Sequence, residues 1–143
     1  MAETIFTKII RGDIPCHKVY EDQRVLAFLD IGPLSQGHTL VVPKEDKATL
    51  DQLSDDSAAA VGRILPRLCR AVLKATGATA YNILQNNGAG AHQVVMHVHF
   101  HIIPKFTSRP EGGGLGFTWK PQKLEPAAGT ALATKIAEIV KQG

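Results

Sequence analysis

Cysteine is scarce in this 143-residue chain, and Cys16 and Cys69 alone are too few for a disulfide framework. No apolar stretch is long enough to span a bilayer, and none near the start resembles a secretory signal. No membrane association is therefore expected, and the cytosol is the default compartment. Runs of like charge are absent too. The 16 basic and 13 acidic residues leave a net charge of +3, which draws a small anion weakly and gives no case for a nucleic-acid partner. There is no internal repeat and no low-complexity tract. The 8 prolines and 13 glycines are scattered, not gathered into a linker, so residues 1–143 read as one domain.

What is concentrated is histidine. His97, His99 and His101 alternate with Met96, Val98, Phe100 and Ile102. Along an extended strand over 96–104, successive side chains face opposite ways, which puts the three imidazoles on one face and the apolar residues on the other. At about 3.3 Å per residue, rings two apart are separated by roughly 7 Å and the outer pair by roughly 13 Å. One metal with bonds near ~2 Å does not hold all three. A row of imidazoles instead suits phosphoryl chemistry, in which one ring attacks or holds a proton while its neighbours set its tautomer and gather charge. Adjacent imidazolium ions repel, so neutral rings are favoured near pH 7.

The rest of the chain supplies a scaffold. Phe6, Ile9 and Ile10 fall at helical spacing within 5–11, closed by Gly12-Asp13. Residues 19–21 and 24–30 read as strands around an Asp22-Gln23 turn, and 38–42 as a third strand between Gly37 and Pro43. Residues 44–51 read as a short helix or turn. Ser54-Asp55-Asp56 caps a helix with a stripe of Val61, Ile64, Leu65, Leu68, Val72 and Leu73, stopped at Gly77. Pro66 crowds the carbonyl of Gly62 and predicts a kink there. Arg63, Arg67, Arg70 and Lys74 form a solvated face.

Residues 80–85 make a fourth strand, followed by a glycine-containing loop. Its open backbone and the amides of Asn86 and Gln93 suit anionic oxygens. His92, just outside the row, reads as a surface residue. Residues 107–122, with Gly112-Gly113-Gly114, read as mobile. Leu132, Ile136, Ile139 and Val140 stripe a last helix, expected to pack on the sheet. The fold class is α+β: an antiparallel sheet of about five strands, one long kinked helix and short helices near the ends.

The run His97-Val98-His99-Phe100-His101-Ile102-Ile103 fits His-φ-His-φ-His-φ-φ, with φ apolar, and resembles the signature of the histidine triad (HIT) family, nucleotide hydrolases and transferases acting at the α-phosphate. Residues 4–43, through Asp13-Ile14-Pro15 and Ala27-Phe28-Leu29-Asp30-Ile31, are similar to its Hint branch, as is Asn82-Ile83-Leu84-Gln85-Asn86-Asn87-Gly88. The resemblance covers about 3–107, with 108–143 a C-terminal segment. It implies His99 as the nucleophile, His97 and His101 on phosphate oxygens, His101 handling the proton of the leaving amine, and His38 orienting the set. It implies Ile14, Phe28 and Ile31 around a purine, Asp30 on the ribose hydroxyls, and Asn86 and Gln93 on phosphate.

The expected activity is hydrolysis of purine nucleoside 5'-phosphoramidates through a nucleotidyl-histidine, by a homodimer; Trp119 is either a local anchor of its segment or, as C-terminal segments do in the resembled branch, reaches a partner subunit near the active site. Thr4 and Thr7 stand where many relatives carry Cys-x-x-Cys, and Asp46 where metal-binding ones place histidine, so neither structural zinc nor a cofactor is expected. Val94 departs from relatives with a hydroxyl there. The alternatives are Fhit-like cleavage of dinucleoside polyphosphates, a nucleotide-binding adaptor, and a metal-dependent hydrolase built on His97, His99, His38 and an aspartate.

Overall fold

A computed structural model describes residues 3–143. Thr4 and Thr7 start the first helix, α1 (Ile5–Arg11), by a reciprocal cap: each hydroxyl accepts the other residue's backbone N–H, at 2.9 and 3.2 Å. Gly12 ends it in the left-handed conformation at φ 89°. Strands β1 (Lys18–Glu21) and β2 (Val25–Leu29) follow as a hairpin. Asp22 Oδ1 organises its turn by accepting from the N–H groups of Arg24 and Val25. β3 (Thr39–Pro43) and the long helix α2 (Asp55–Thr76) come next, then β4 (Ala80–Leu84), β5 (Phe100–Lys105) and α3 (Pro126–Gln142). The strands form one antiparallel sheet in the order β1-β2-β3-β5-β4.

The sheet has two used faces because its central strands bury both sets of alternating side chains. Val25, Ala27, Val41 and Ile102 pack against the Val61, Ile64, Leu68 and Val72 stripe of α2. On the other face, Leu26, Phe28, Leu40 and Val42 pack against Phe6 of α1. Each Val, Leu, Ile or Phe among them contributes about 1.5–3 kcal/mol of burial. Ser54 caps α2, Gly77 closes it, and the helix runs through Pro66 unbroken.

Three expectations are corrected. The histidine strand begins at Phe100, not Met96. Val98 donates its N–H to Lys47 O at 2.9 Å, outside the sheet, so strict alternation fails before Phe100. The glycine run is a folded turn. Phe106 N–H donates to Gly113 O at 2.7 Å and Gly114 N–H to Leu34 O at 3.2 Å. A Cβ on Gly113 would lie 2.5 Å from Arg109 O, so glycine is needed there for close backbone approach. Finally, α3 does not pack on the sheet. None of its residues is buried, and Leu132, Ile136, Ile139 and Val140 are 53–70% exposed. No helix among the described residues is long and apolar enough to cross a membrane.

Candidate active site

On the α1 face of the sheet, a row of residues lies in register across four strands: Phe28 beside Leu40, Leu40 beside His101, and His101 beside Leu84. All four line a cavity of about 500 Å³, a size that suits a small organic ligand. Ile14 and Phe28 provide an apolar wall, and Ile31, 86% exposed, stands at the rim. Asp30, Asn86, His38, His99 and His101 supply the polar wall.

Asp30 sits where β2 stops. Its Oδ1 accepts from Gly32 N–H at 2.8 Å, which holds the carboxylate in place, and its Oδ2 lies 3.5 Å from His38 Nε2. Asn86 has one long bond, from its Nδ2 to His92 O at 3.3 Å, so its amide can exchange partners at low cost.

The hydrogen bonds assign a tautomer to each ring. Leu34 N–H donates to His38 Nδ1 at 3.0 Å, so that nitrogen carries a lone pair and the proton of the neutral ring is on Nε2. His38 Nε2 then donates to His101 Nδ1 at 2.9 Å, which places the His101 proton on Nε2. In His99 the order is reversed. Its Nδ1 lies 2.7 Å from His97 O, a carbonyl that can only accept, so Nδ1 carries the proton and Nε2 the lone pair. Burial lowers the pKa of all three rings, and the neighbouring His99 and His38 help push His101 down to about 4. Near pH 7 the site therefore pairs a neutral imidazole with a free lone pair, His99, with a neutral imidazole that donates, His101.

Two residues named from the sequence lie elsewhere. His97 is fully buried and absent from the cavity wall. Its Nε2 donates to Pro43 O at 2.8 Å, and the Phe6 ring lies edge-on to both His97 and His99, with centroids at 6.3 and 4.9 Å. The departure from strand geometry at Val98 turns this ring away from the others, and it acts through its own carbonyl, which holds His99. Gln93 is buried and also off the wall. Its Nε2 donates to Ala48 O and Val95 O at 2.7 and 2.9 Å, and its Oε1 accepts from Gly88 N–H at 2.7 Å, so no group is left for a phosphate. Conversely Leu40, Leu84 and Leu115 line the cavity without having been singled out. Register against His101 is the signal that finds the first two.

Metal chemistry fits these residues poorly. Asp30, His38 and His101 bring ligand-type atoms within 4.8 Å of one another. Leu34 N–H already occupies the His38 lone pair, so a cation on Nε2 would require the ring to become an anion. At the far side, the Thr4 and Thr7 hydroxyls bond each other at 3.0 Å and are weak zinc ligands. Asp46 Oδ1 and His97 Nδ1 face one another at 3.6 Å, both buried and without another partner.

The HIT domain matches residues 11–108. The chain belongs to the HIT family, in its Hint branch. It is 51% identical over 137 residues to adenosine 5'-monophosphoramidase hnt1 of Schizosaccharomyces pombe, covering 96% of this chain and 98% of that one. A hypothetical protein from Leishmania major superposes with a TM-score of 0.90 at 47% identity, over 98% of this chain and 97% of that one. The histidine triad nucleotide-binding protein from Candida albicans does so at 0.85 and 38%, over 98% and 99%. The family's α+β architecture is the one described above. In this HIT protein the three named histidines divide into two that face the cavity and one that supports them.

Proposed function

We propose that this HIT protein is a hydrolase of purine nucleoside 5'-phosphoramidates that works through a nucleotide bound covalently to His99. The observation that carries this reading is the opposed tautomers of His99 and His101. His99 Nε2 offers a lone pair to the α-phosphorus while Nδ1–H stays on His97 O, so the cation formed on attack is already bonded to a carbonyl. His101 Nε2–H and the Asn86 amide donate to the phosphoryl oxygens as charge builds on them, a fixed arrangement of dipoles of the kind worth about 3–4 kcal/mol per donor in acyl transfer.

Ile14, Phe28 and Ile31 enclose the base, and Asp30 accepts from the ribose hydroxyls. Water then attacks the phosphorus, giving the nucleoside monophosphate and restoring His99. The Schizosaccharomyces pombe relative, an adenosine 5'-monophosphoramidase, supports the substrate class.

Incubation with an adenosine phosphoramidate without added metal tests this. Acid quench and peptide mapping should place labelled nucleotide on His99, and His99→Asn should lose turnover while still binding monophosphate. Near-wild-type turnover in that variant ends the reading. Labelled dinucleoside polyphosphate run alongside distinguishes Fhit-like cleavage, and negligible turnover on every substrate leaves an adaptor.

We further propose a homodimer. β4 is a free sheet edge with Tyr81 and Ile83 about 40% exposed, and α3 leaves its apolar stripe uncovered. A sedimentation mass of one chain would exclude it.

A further inference from the structure

Resting on the reading of His99 as nucleophile, we propose that His92 is the residue that protonates the leaving amine. The need follows from the tautomers. When P–N breaks, its electron pair stays on nitrogen, and an alkylamine leaves only if that nitrogen takes a proton. His101 is a poor source: its ring is neutral near pH 7, and the one proton it keeps is the weakly acidic N–H that its bond with His38 directs to Nε2. His38 keeps its proton on His101, and His99 spends its lone pair on phosphorus. Val94 is 81% exposed at the cavity and has no proton to give.

Among the described residues on the wall, His92 is the remaining imidazole. It is exposed and borders the cavity beside Asn86 and Val94, in contact with solvent protons. Its backbone is unusual as well. His92 is the only non-glycine at positive φ among the described residues, at 69°, a conformation costing a side chain about 1 kcal/mol or more. The loop holds it there: His92 N–H donates to Ala89 O, the Asn86 amide holds its carbonyl, and Gln93 N–H returns to Gly88 O.

The steps balance. The His92 imidazolium gives its proton to nitrogen as His99 Nε2 bonds to phosphorus, leaving a free amine, neutral His92 and a nucleotidyl-imidazolium at His99. Water then attacks the phosphorus, His92 accepts one of its protons, and neutral His99 departs with its Nδ1–H intact.

The experiment compares two probes, an adenosine 5'-phosphoramidate of a primary alkylamine and the p-nitrophenyl ester of adenosine monophosphate, whose leaving group needs no proton. His92→Asn tolerates the left-handed backbone and His92→Gly relaxes it, so both should fold without loss of Tm. Each should lose about 100-fold in kcat/KM on the alkylamine probe, with little change in kcat/KM on the ester, which reports only the steps up to release of nitrophenolate. Adding Val94→Ser to His92→Asn should recover part of the loss by restoring a hydroxyl at the mouth. Equal losses on both probes, or none on the alkylamine, overturn the assignment. Nucleotide trapped on wild-type His99 alongside full alkylamine activity in the His92 variants would remove this proposal and leave the nucleophile standing. Failure to label His99 in the wild type would remove both.

Discussion

Replacing His38 with phenylalanine tests the tautomer chain directly, because the ring fills similar volume and carries no nitrogen. Two hydrogen bonds disappear: the 3.0 Å donation from Leu34 N–H and the 2.9 Å donation to His101 Nδ1. Unpaired groups in this half-buried setting cost about 1–3 kcal/mol each, so unfolding free energy should drop by about 2–6 kcal/mol. The effect on activity is separate. Without the His38 donor, His101 loses a bond worth about 1–1.5 kcal/mol net that favours its Nε2–H form, and kcat should fall roughly tenfold while the affinity for monophosphate changes little.

His38→Gln retains an N–H near the lost Nε2 and should recover most of that rate. The assay is kcat and KM on an adenosine phosphoramidate, together with the 15N spectrum of His101, whose proton should redistribute between nitrogens in the phenylalanine variant alone. A folded His38→Phe protein with wild-type kcat, or equal losses in the two variants, would refute the chain.

Acid should destabilise the protein through its buried rings. His101 is pushed from 6.5 down to about 4, so between those values the unfolded chain binds the extra proton. The stabilisation from keeping the ring neutral is complete above pH 6.5 and lost as pH falls toward 4, and thermal melts should show a smaller fall over that window in His101→Phe. Gln93→Leu strands Gly88 N–H and the carbonyls of Ala48 and Val95, so calorimetry should show at least about 3 kcal/mol less stability. Removing residues 123–143 takes away no buried side chain, so the melting temperature of the isolated chain should hold within a few degrees, while sedimentation shows weaker self-association if α3 is the dimer contact.

Much of this was legible in the residues because the signals were local. Gly12, Ser54 and Gly77 each mark a helix end through bonds formed within one turn of the chain. The alternation from Phe100 to Ile102 gives the correct faces, since both neighbours of β5 hold it in the sheet. His97 was misplaced because the bond between Val98 and Lys47, some fifty positions apart in sequence, takes that stretch out of the ladder. Gln93 carries the right groups for a phosphate, yet three backbone partners meet it first, and only the folded loop reveals them. The glycine run was read as slack because sequence shows what glycine permits and not what lies beside it; here Arg109 O, Phe106 O and Pro104 O do. The α3 stripe was read as packing on the sheet, yet it lies exposed, because amphipathic spacing marks an apolar face without naming what covers it.

The order of protons along His38 and His101 begins at a main-chain amide, that of Leu34. The polarity of the reaction centre is thus written into the peptide backbone, where nineteen of the twenty residues are equivalent. Position 34 should accept changes of side chain that keep the loop's shape and an apolar cavity wall without reordering those protons, and proline alone would erase the instruction.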